Sequence, residues 1–303
     1  MSARRQAGPA RIVLIDKPEG PSSFDVVRAA RRVLAVRRVG HGGTLDPFAS
    51  GLLVLGVGPA TRLLDLVLTG RKTYHARVRF GEETDSGDPT GEVVATSGVP
   101  TDAERVRAAA AEFVGTIDQV PPRHSAVKIE GRRAYDRARA GEDFEVPSRR
   151  VEIDAFDLVS FDPPFADFEV RCSAGTYVRS LARDLGHALD GTGHLTALRR
   201  TASGALTVDE AVALDDVEAA HAAGDLVRSP AELTRTWPSV RLDDEEVRWV
   251  RHGGQPPAAW ADATGDAPHV ALLDEAGALV AVAGRRDDGG LRLAVVLPAE
   301  VVA

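Results

Sequence analysis

The sequence predicts an α+β fold with a small β-rich segment at its C-terminal end. Three observations carry that expectation. Stretches of strand period and of helical period are interspersed along the chain, no internal repeat or regular strand–helix unit is visible, and three strand-like runs separated by turns follow residue 239. With 303 residues, 44% apolar and 27% charged, the chain is long enough for about two domains. Its composition is that of a folded globular protein rather than a disordered or fibrous one.

The elements follow in order. The first ten residues, ending in Gly-Pro-Ala, read as a flexible tail. Ile12–Ile15 is a short apolar strand, stopped at Lys17-Pro18-Glu19-Gly20-Pro21, where two prolines and a glycine enforce a turn. Ser22 or Ser23 can then cap a helix in which Val26, Val27, Ala30, Val33 and Leu34 recur at helical spacing. Its other face carries Arg28, Arg31 and Arg32, with Arg37 and Arg38 just beyond: either a solvated face or a phosphate-contacting stripe. The glycines of 40–51 mark a loop, and Leu52–Val57 reads as a buried strand. Pro59 opens a helix over Ala60–Leu68 that closes at Gly70.

From Lys72 the period changes. Tyr74, Ala76, Val78 and Phe80 alternate with His75, Arg77 and Arg79, as in a half-buried strand. Gly81–Gly91 is polar and turn-rich, and a helix capped by Thr101 is expected over 102–113. The stretch 123–147 holds six cations between Arg123 and Arg139, with bends at Gly131 and Gly141; it is a mobile flap over a ligand or an exposed hairpin with a short helix. Phe165–Cys172 is another strand, and Thr176 caps a helix carrying Val178, Leu181, Ala182, Leu185 and Leu189. The runs Val270–Leu273, Ala278–Val282 and Leu291–Leu297 fit a β domain of about 60 residues, near the lower size for independent folding.

Composition narrows the function. The single cysteine, Cys172, cannot close an intrachain disulfide or supply a thiolate cluster, which fits a reducing compartment. No run approaches the roughly 18 apolar residues of a membrane span, so a soluble, cytoplasmic chain is expected. The net charge of −8 argues against a nucleic-acid partner, but its distribution does not. Residues 1–80 carry 14 Lys and Arg against five Asp and Glu, the remainder 23 against 40. A basic surface on the first part and an acidic, solvated remainder follow. Gly56-Val57-Gly58-Pro59 sits where a dinucleotide fingerprint would, but lacks its third glycine, and no glycine loop ends in the Gly-Lys-Ser/Thr of a phosphate cradle.

Candidate chemistry begins at Asp46, held between a glycine-rich stretch and Pro47, which biases its backbone away from helix. Alone, an aspartate before a proline is usually a turn former. Arg179 adds weight: a cation in the first turn of a helix opposes the helix dipole, which suggests either a carboxylate partner brought from elsewhere or a surface arginine that tolerates its position. Tyr74 reads as a core tyrosine or as a platform for a nucleobase. His41, flanked by glycines, is expected to be exposed.

These features coincide with a known family. Gly40-His41-Gly42-Gly43-Thr44-Leu45-Asp46-Pro47, then Ala49-Ser50-Gly51 and Ala60-Thr61, resembles the catalytic motif of the TruB-type tRNA pseudouridine synthases. Asp16–Ser23 resembles the family's lysine-proline motif, and Lys72-Thr73-Tyr74 its tyrosine strand. Gln119–Pro122, Ser125–Lys128 and Gly131–Tyr135 resemble its RNA-gripping thumb; Cys172–Arg179 and His194–Arg200 resemble its last two motifs. The resemblance spans about residues 12–205 in the family's order. Departures are few: Arg62 where lysine is frequent, Ser50 for threonine, His124 for tyrosine.

The resemblance implies a pseudouridine synthase fold, with a mixed, mainly antiparallel central sheet flanked by helices. It implies a catalytic domain over 11–238 with a thumb-like insertion at about 123–147, and a small PUA-like, β-barrel-like domain over 239–303. Residues 209–303 hold 18 acidic and eight basic side chains, so that domain is expected to contact few phosphates. The implied reaction converts the T-arm uridine of tRNA, position 55, to pseudouridine after base flipping, as a monomer and without metal or cofactor. Asp46 would act at the sugar, by adding to the anomeric carbon or by abstracting a sugar proton. Arg179 would keep it ionised and oriented, and Tyr74 would pack on the uracil and serve as proton acceptor at C5. His41 would fill the vacated space, Tyr177 and Leu198 line the pocket, and Lys17 and Pro18 shape the loop holding Asp46. Arg31, Arg32, Arg37, Arg38, Lys128 and Arg132 would grip phosphates. Two rivals are an RNA-folding protein on the same scaffold without turnover, and a glycoside-type hydrolase. The hydrolase needs a second carboxylate as general acid, which none of these motifs supplies.

Overall fold

Residues 9–125, 127–129, 131–140 and 142–299 are described by the computed structural model; the side chains of Val67, Leu68, Lys128, Arg133, Asp136, Ala138 and Arg139 are outside that description. Most of the expected N-terminal tail, residues 1–8, also lies outside it. The chain runs through β1 (Arg11–Lys17), α1 (Ser23–Val33), β2 (Val39–His41), β3 (Ser50–Val57), a 3-10 turn (Gly58–Leu63), α2 (Leu64–Thr69), β4 (Lys72–Phe80), β5 (Glu82–Thr84) and β6 (Val93–Thr96). Next come α3 (Ala103–Ala111), β7 (Gly115–Gln119), β8 (Lys128–Ile129), β9 (Arg132–Arg133), α4 (Ala134–Arg139), β10 (Arg149–Asp162), β11 (Phe165–Cys172), α5 (Val178–Ala188) and β12 (Gly193–Ser203). The last third holds β13 (Leu206–Thr207), β14 (Val212–Ala213), α6 (Val217–Ala223), β15 (Ser239–Leu242), α7 (Asp244–Arg251), α8 (Ala258–Ala263), β16 (His269–Asp274), β17 (Leu279–Arg285) and β18 (Leu291–Val296). Among the described residues, no helix is long and apolar enough to cross a membrane.

The chain divides into two compact units. The first gathers the residues up to Leu45, Leu52–Leu68 and those from Gly204 onward; the second gathers Asp46–Gly51 and Thr69–Ser203. In the first, β1 lies between β14 and β3, and β2 pairs antiparallel with β3, placing His41 opposite Leu55. The unbroken apolar run of β1 exists because both its faces are covered. Val13 and Ile15 pack with Val26, Val27 and Ala30 of α1, while Ile12 and Leu14 pack with Ala271, Leu279 and Val282 of the C-terminal sheet. Truncating Leu14 to alanine would cost about 2–5 kcal/mol on ordinary core statistics.

Ser22 sets the start of α1 through a capping box: its hydroxyl accepts from the Asp25 amide, and the Asp25 carboxylate accepts from the Ser22 amide. The C-terminal strands form an open sheet in the order β15-β16-β17-β18, not the barrel-like closure expected. Four strands are too few to close, and helices cover the gap. Val247, Val250 and Trp260 of α7 and α8 pack on Val270, Leu272 and Val280.

In the second unit, β12, β4, β11, β10 and β7 follow one another as an antiparallel sheet. At its β12 edge, Ser50 and Gly51 pair in parallel with Arg199 and Arg200, so the sheet is mixed. Two expected caps are corrected. Asp102, not Thr101, caps α3 by accepting from the Glu104 amide. Tyr177, not Thr176, occupies the cap position of α5, and no side chain caps it. The helix expected from Pro59 divides into the 3-10 turn and α2.

Candidate active site

Asp46 sits on a tight turn in which the Ala49 amide donates to the Asp46 carbonyl at 3.1 Å, with Phe48 and Ala49 buried beneath it. The turn feeds directly into the pairing of Ser50 and Gly51 with β12. Gly51 is obligatory there. Its φ is +101°, and a Cβ would lie 2.3 Å from the Arg200 carbonyl oxygen. The loop holding Asp46 is thereby registered against Arg200, and Arg200 stands opposite Tyr74 on β4.

The N-terminus of α5 presents Arg179. Both side-chain polar atoms of Gln119 bond the Tyr177 backbone, its amide donating to the Tyr177 carbonyl and its oxygen accepting from the Tyr177 N–H. Arg179 Nε meets Asp46 Oδ2 at 3.0 Å, and Nη1 meets Asp88 Oδ2 at 3.2 Å. Nη1 also donates to the Ser86 carbonyl at 2.7 Å, and Nη2 to the His124 carbonyl at 3.0 Å. The Arg179 side chain is 5% exposed, Asp88 is 7%, and Asp46 is 34%. A buried guanidinium thus stands between a buried carboxylate and an accessible one, and the pair of acids offsets both its burial and its unfavourable place in the helix dipole.

Asp88 is the carboxylate that sequence reasoning missed. Its Oδ1 accepts from the Ser86 hydroxyl, the Thr90 amide and the Thr90 hydroxyl. Gly87, with φ +72°, lets this turn pass close to Arg179. The signal was present: Asp88-Pro89 repeats the aspartate–proline doublet of Asp46-Pro47 within a stretch read only as turn-rich.

Tyr74 and Leu198 are buried on adjacent strands, Leu198 opposite Ala76. The Tyr74 hydroxyl is hydrogen-bonded by the Arg200 guanidinium, which is 1% exposed. Burial raises the Tyr74 pKa above the usual phenol range, against the opposing pull of Arg200. Behind them, burial first, then repulsion from Arg200, bring Lys72 down to about 8, and burial pushes Cys172 up to about 11. Arg200 was unremarked in the sequence because an arginine in a strand pattern gives no sign of full burial.

The remaining expected site residues lie as follows. Tyr177 is half-buried, its ring 5.4 Å from the Arg149 guanidinium. Arg132 is exposed and paired with Glu142 at 2.7 Å; the Lys128 side chain is outside the described residues. His41, Lys17, Pro18, Arg31, Arg32, Arg37 and Arg38 belong to the first unit. His41 is half-buried on β2. Lys17 is fully buried, and its Nζ donates to the Pro18 and Pro21 carbonyls at 2.9 Å each, bracing the turn. Pro18, Arg32, Arg37 and Arg38 are exposed, and Arg31 donates to the Val39 carbonyl at 2.8 Å.

Comparison with known proteins follows the same order of elements. Residues 31–178 match the family model described as the TruB family pseudouridylate synthase N-terminal domain, and residues 179–235 the tRNA pseudouridylate synthase B C-terminal domain. A tRNA pseudouridine synthase B of Burkholderia lata is 46% identical over 253 residues, 83% of this chain and 79% of that protein. The chain belongs to the TruB family. The relative of that name from an Arthrobacter species is 43% identical over 287 residues, covering 88% of this chain and 93% of the relative. This TruB-family chain is therefore an isomerase that makes pseudouridine in tRNA. Its fold is similar to that in a crystal structure of a Cbf5-Nop10-Gar1 complex, with a TM-score of 0.73 and 25% identity over 95% of this chain and 84% of that one. A second similar structure, of an H/ACA ribonucleoprotein bound to a substrate RNA containing 2′-deoxyuridine, has a TM-score of 0.72 at 22% identity, over 96% of this chain and 86% of that one.

Proposed function

We propose that this enzyme isomerises the uridine at position 55 in the T-arm of tRNA, with Asp46 as the carboxylate that acts on the sugar. The observation that carries the reading is the 3.0 Å ion pair between accessible Asp46 and buried Arg179. A guanidinium so placed favours the ionised form of a carboxylate and orients it. The target uridine is flipped from its stack at a cost of a few kcal/mol. The Asp46 carboxylate then adds to C1′ or removes a sugar proton, and the C1′–N1 bond breaks with its electrons leaving on uracil. Uracil rotates, C5 bonds to C1′ as the sugar returns to its starting state, and the net result moves one proton from C5 to N1. Tyr74, neutral at rest, packs on the base; accepting the C5 proton requires its phenolate, which Arg200 is positioned to stabilise. Tyr177 and Leu198 line the pocket of the displaced base, and His41 is assigned to the space that base vacates in the RNA. Arg31, Arg32, Arg37, Arg38, Lys128 and Arg132 serve the phosphates, within a catalytic domain over 11–238 followed by a small domain over 239–303.

A hydrolase would need a second carboxylate to donate a proton to the leaving group. Asp88 is a second carboxylate, but it is buried and its oxygens already accept three hydrogen bonds and pair with Arg179. That is the environment of an acid that orients Arg179. The deciding variant is Asp46→Asn. It is expected to bind a T-arm hairpin as tightly as the unmodified enzyme and to form no pseudouridine by chemical mapping; residual turnover removes Asp46 from the chemistry.

A further inference from the structure

Phe24, the second residue of α1, is 57% exposed, although the rest of its helix turns its apolar side chains inward. A single exposed aromatic is unremarkable; its surroundings are not. The Arg28 and Arg31 guanidiniums lie 5.7 and 5.8 Å from the ring centroid, within cation–π range. Both cations are anchored. Arg28 is ion-paired with Asp25, whose carboxyl the Ser22 bonds and Arg28 hold down to about 2, and Arg31 is tied to the Val39 carbonyl. Arg31 Nε is buried and has no hydrogen-bond acceptor among the described residues.

The ring is also fixed with respect to the chain that leads to Asp46. Ser23 beside it is buried, donates to the Leu45 carbonyl at 2.9 Å and accepts from the Leu45 amide at 2.8 Å. Asp46 is the next residue. A flat apolar face bracketed by immobilised guanidiniums, inside a stretch with a large excess of cations, suits one ligand chemistry: a nucleobase stacked on the ring, with the phosphates of its strand against the arginines. A peptide segment would gain from the ring but not from the surrounding positive charge.

We propose that Phe24, bracketed by Arg28 and Arg31, is a stacking platform for an unpaired base of the substrate RNA other than the reacting uridine. The proposal rests on the T-arm reading above, since a hairpin loop supplies such bases.

The test uses the full chain and a T-arm hairpin RNA. Phe24→Leu keeps an apolar side chain but removes the π face; it is expected to weaken hairpin binding about 5- to 30-fold, the loss appearing in KM more than in kcat. The slope of log affinity against log salt should stay as in the unmodified enzyme, because no phosphate contact is removed. Phe24→Trp should retain affinity, and its added emission, taken as the difference from the enzyme with only Trp237, Trp249 and Trp260, should be quenched on saturation with RNA. Phe24→Leu binding as tightly as the unmodified enzyme, or unquenched emission from Phe24→Trp, overturns the platform and leaves the ring to a protein partner. If the unmodified enzyme converts the hairpin and Phe24→Leu matches it, only the platform falls; if the unmodified enzyme neither binds nor converts the hairpin, the T-arm reading falls and takes the platform with it.

Discussion

The arginines around α1 and the arginine that opens α5 are one residue type in two settings. Arg28 and Arg32 stand in solvent, Arg28 beside the less exposed Asp25 and Arg32 meeting an equally exposed Glu218 at 3.6 Å. Arg179 is buried, and its guanidinium is taken up by two carboxylates and two carbonyls. Exposed ion pairs of the first kind contribute about 0–1 kcal/mol and leave the cation available to a phosphate. A buried guanidinium cannot be spared in that way, because removing it strands charge in a dry site. Charge count alone therefore locates exposed, weakly held cations, whereas burial singles out the one arginine here whose partners are fixed by the fold.

The hardest strike at this contrast is Arg179→Ala. Turnover at saturating RNA should fall about 100- to 1,000-fold, as when an aligned electrostatic partner is lost. Stability should fall by roughly 3–5 kcal/mol in thermal unfolding, because Asp88 is left buried without its cation. A loss confined to RNA binding would place Arg179 with the α1 arginines instead.

Gly51→Ala probes the same site through its backbone. A Cβ 2.3 Å from the Arg200 carbonyl, at a φ of +101°, forces the two strands apart. The expected cost is about 2–3 kcal/mol of stability, together with a drop in kcat of about 100-fold as the Asp46 turn shifts. Equal unfolding temperatures for the two proteins would show that the loop is not registered by this pairing.

Arg37→Ala sharpens the other side. Hairpin affinity should weaken about 2- to 10-fold, the salt slope should shrink by about 0.9 or less, and stability should stay within about 0.5 kcal/mol. A stability loss as large as that of Arg179→Ala would erase the distinction.

The smallest effect concerns pH. Lys72 titrates at about 8 in the folded chain against 10.5 when exposed, so its burial penalty is present in full below pH 8 and relieved as pH rises toward 10.5. Relative to Lys72→Met, the unmodified protein should gain about 1 kcal/mol between pH 7.5 and 9. Denaturant unfolding at the two pH values measures it.

Much of this was legible before any coordinates. The alternation from Lys72 to Phe80 defined β4, the apolar spacing after Ser22 defined α1, and Asp46, Tyr74 and Arg179 were marked by motifs far apart in the chain. Other elements were not. β10, at 14 residues the longest strand described, breaks its alternation where Asp154 and Ala155 are both half-buried and Val159 and Ser160 both exposed, as expected where bulges shift its register against β11. β12 carries Arg199 and Arg200 where a strand pattern would lead one to look for apolar residues. The barrel-like closure expected for the C-terminal strands gives way to an open four-stranded sheet on which α7, started by its Asp243–Glu246 capping box, and α8 pack.

Local order is what the sequence by itself determined: the periods of β4 and α1 and the serine that starts α1, since each depends on neighbours within a few residues. Which carboxylates meet Arg179, that Arg200 is dry while Arg32 is wet, and that Gly51 must lack a side chain were decided only by the tertiary structure. Burial and pairing between segments distant in sequence depend on surfaces that do not exist until the chain has folded, and no property of one segment records what will be packed against it.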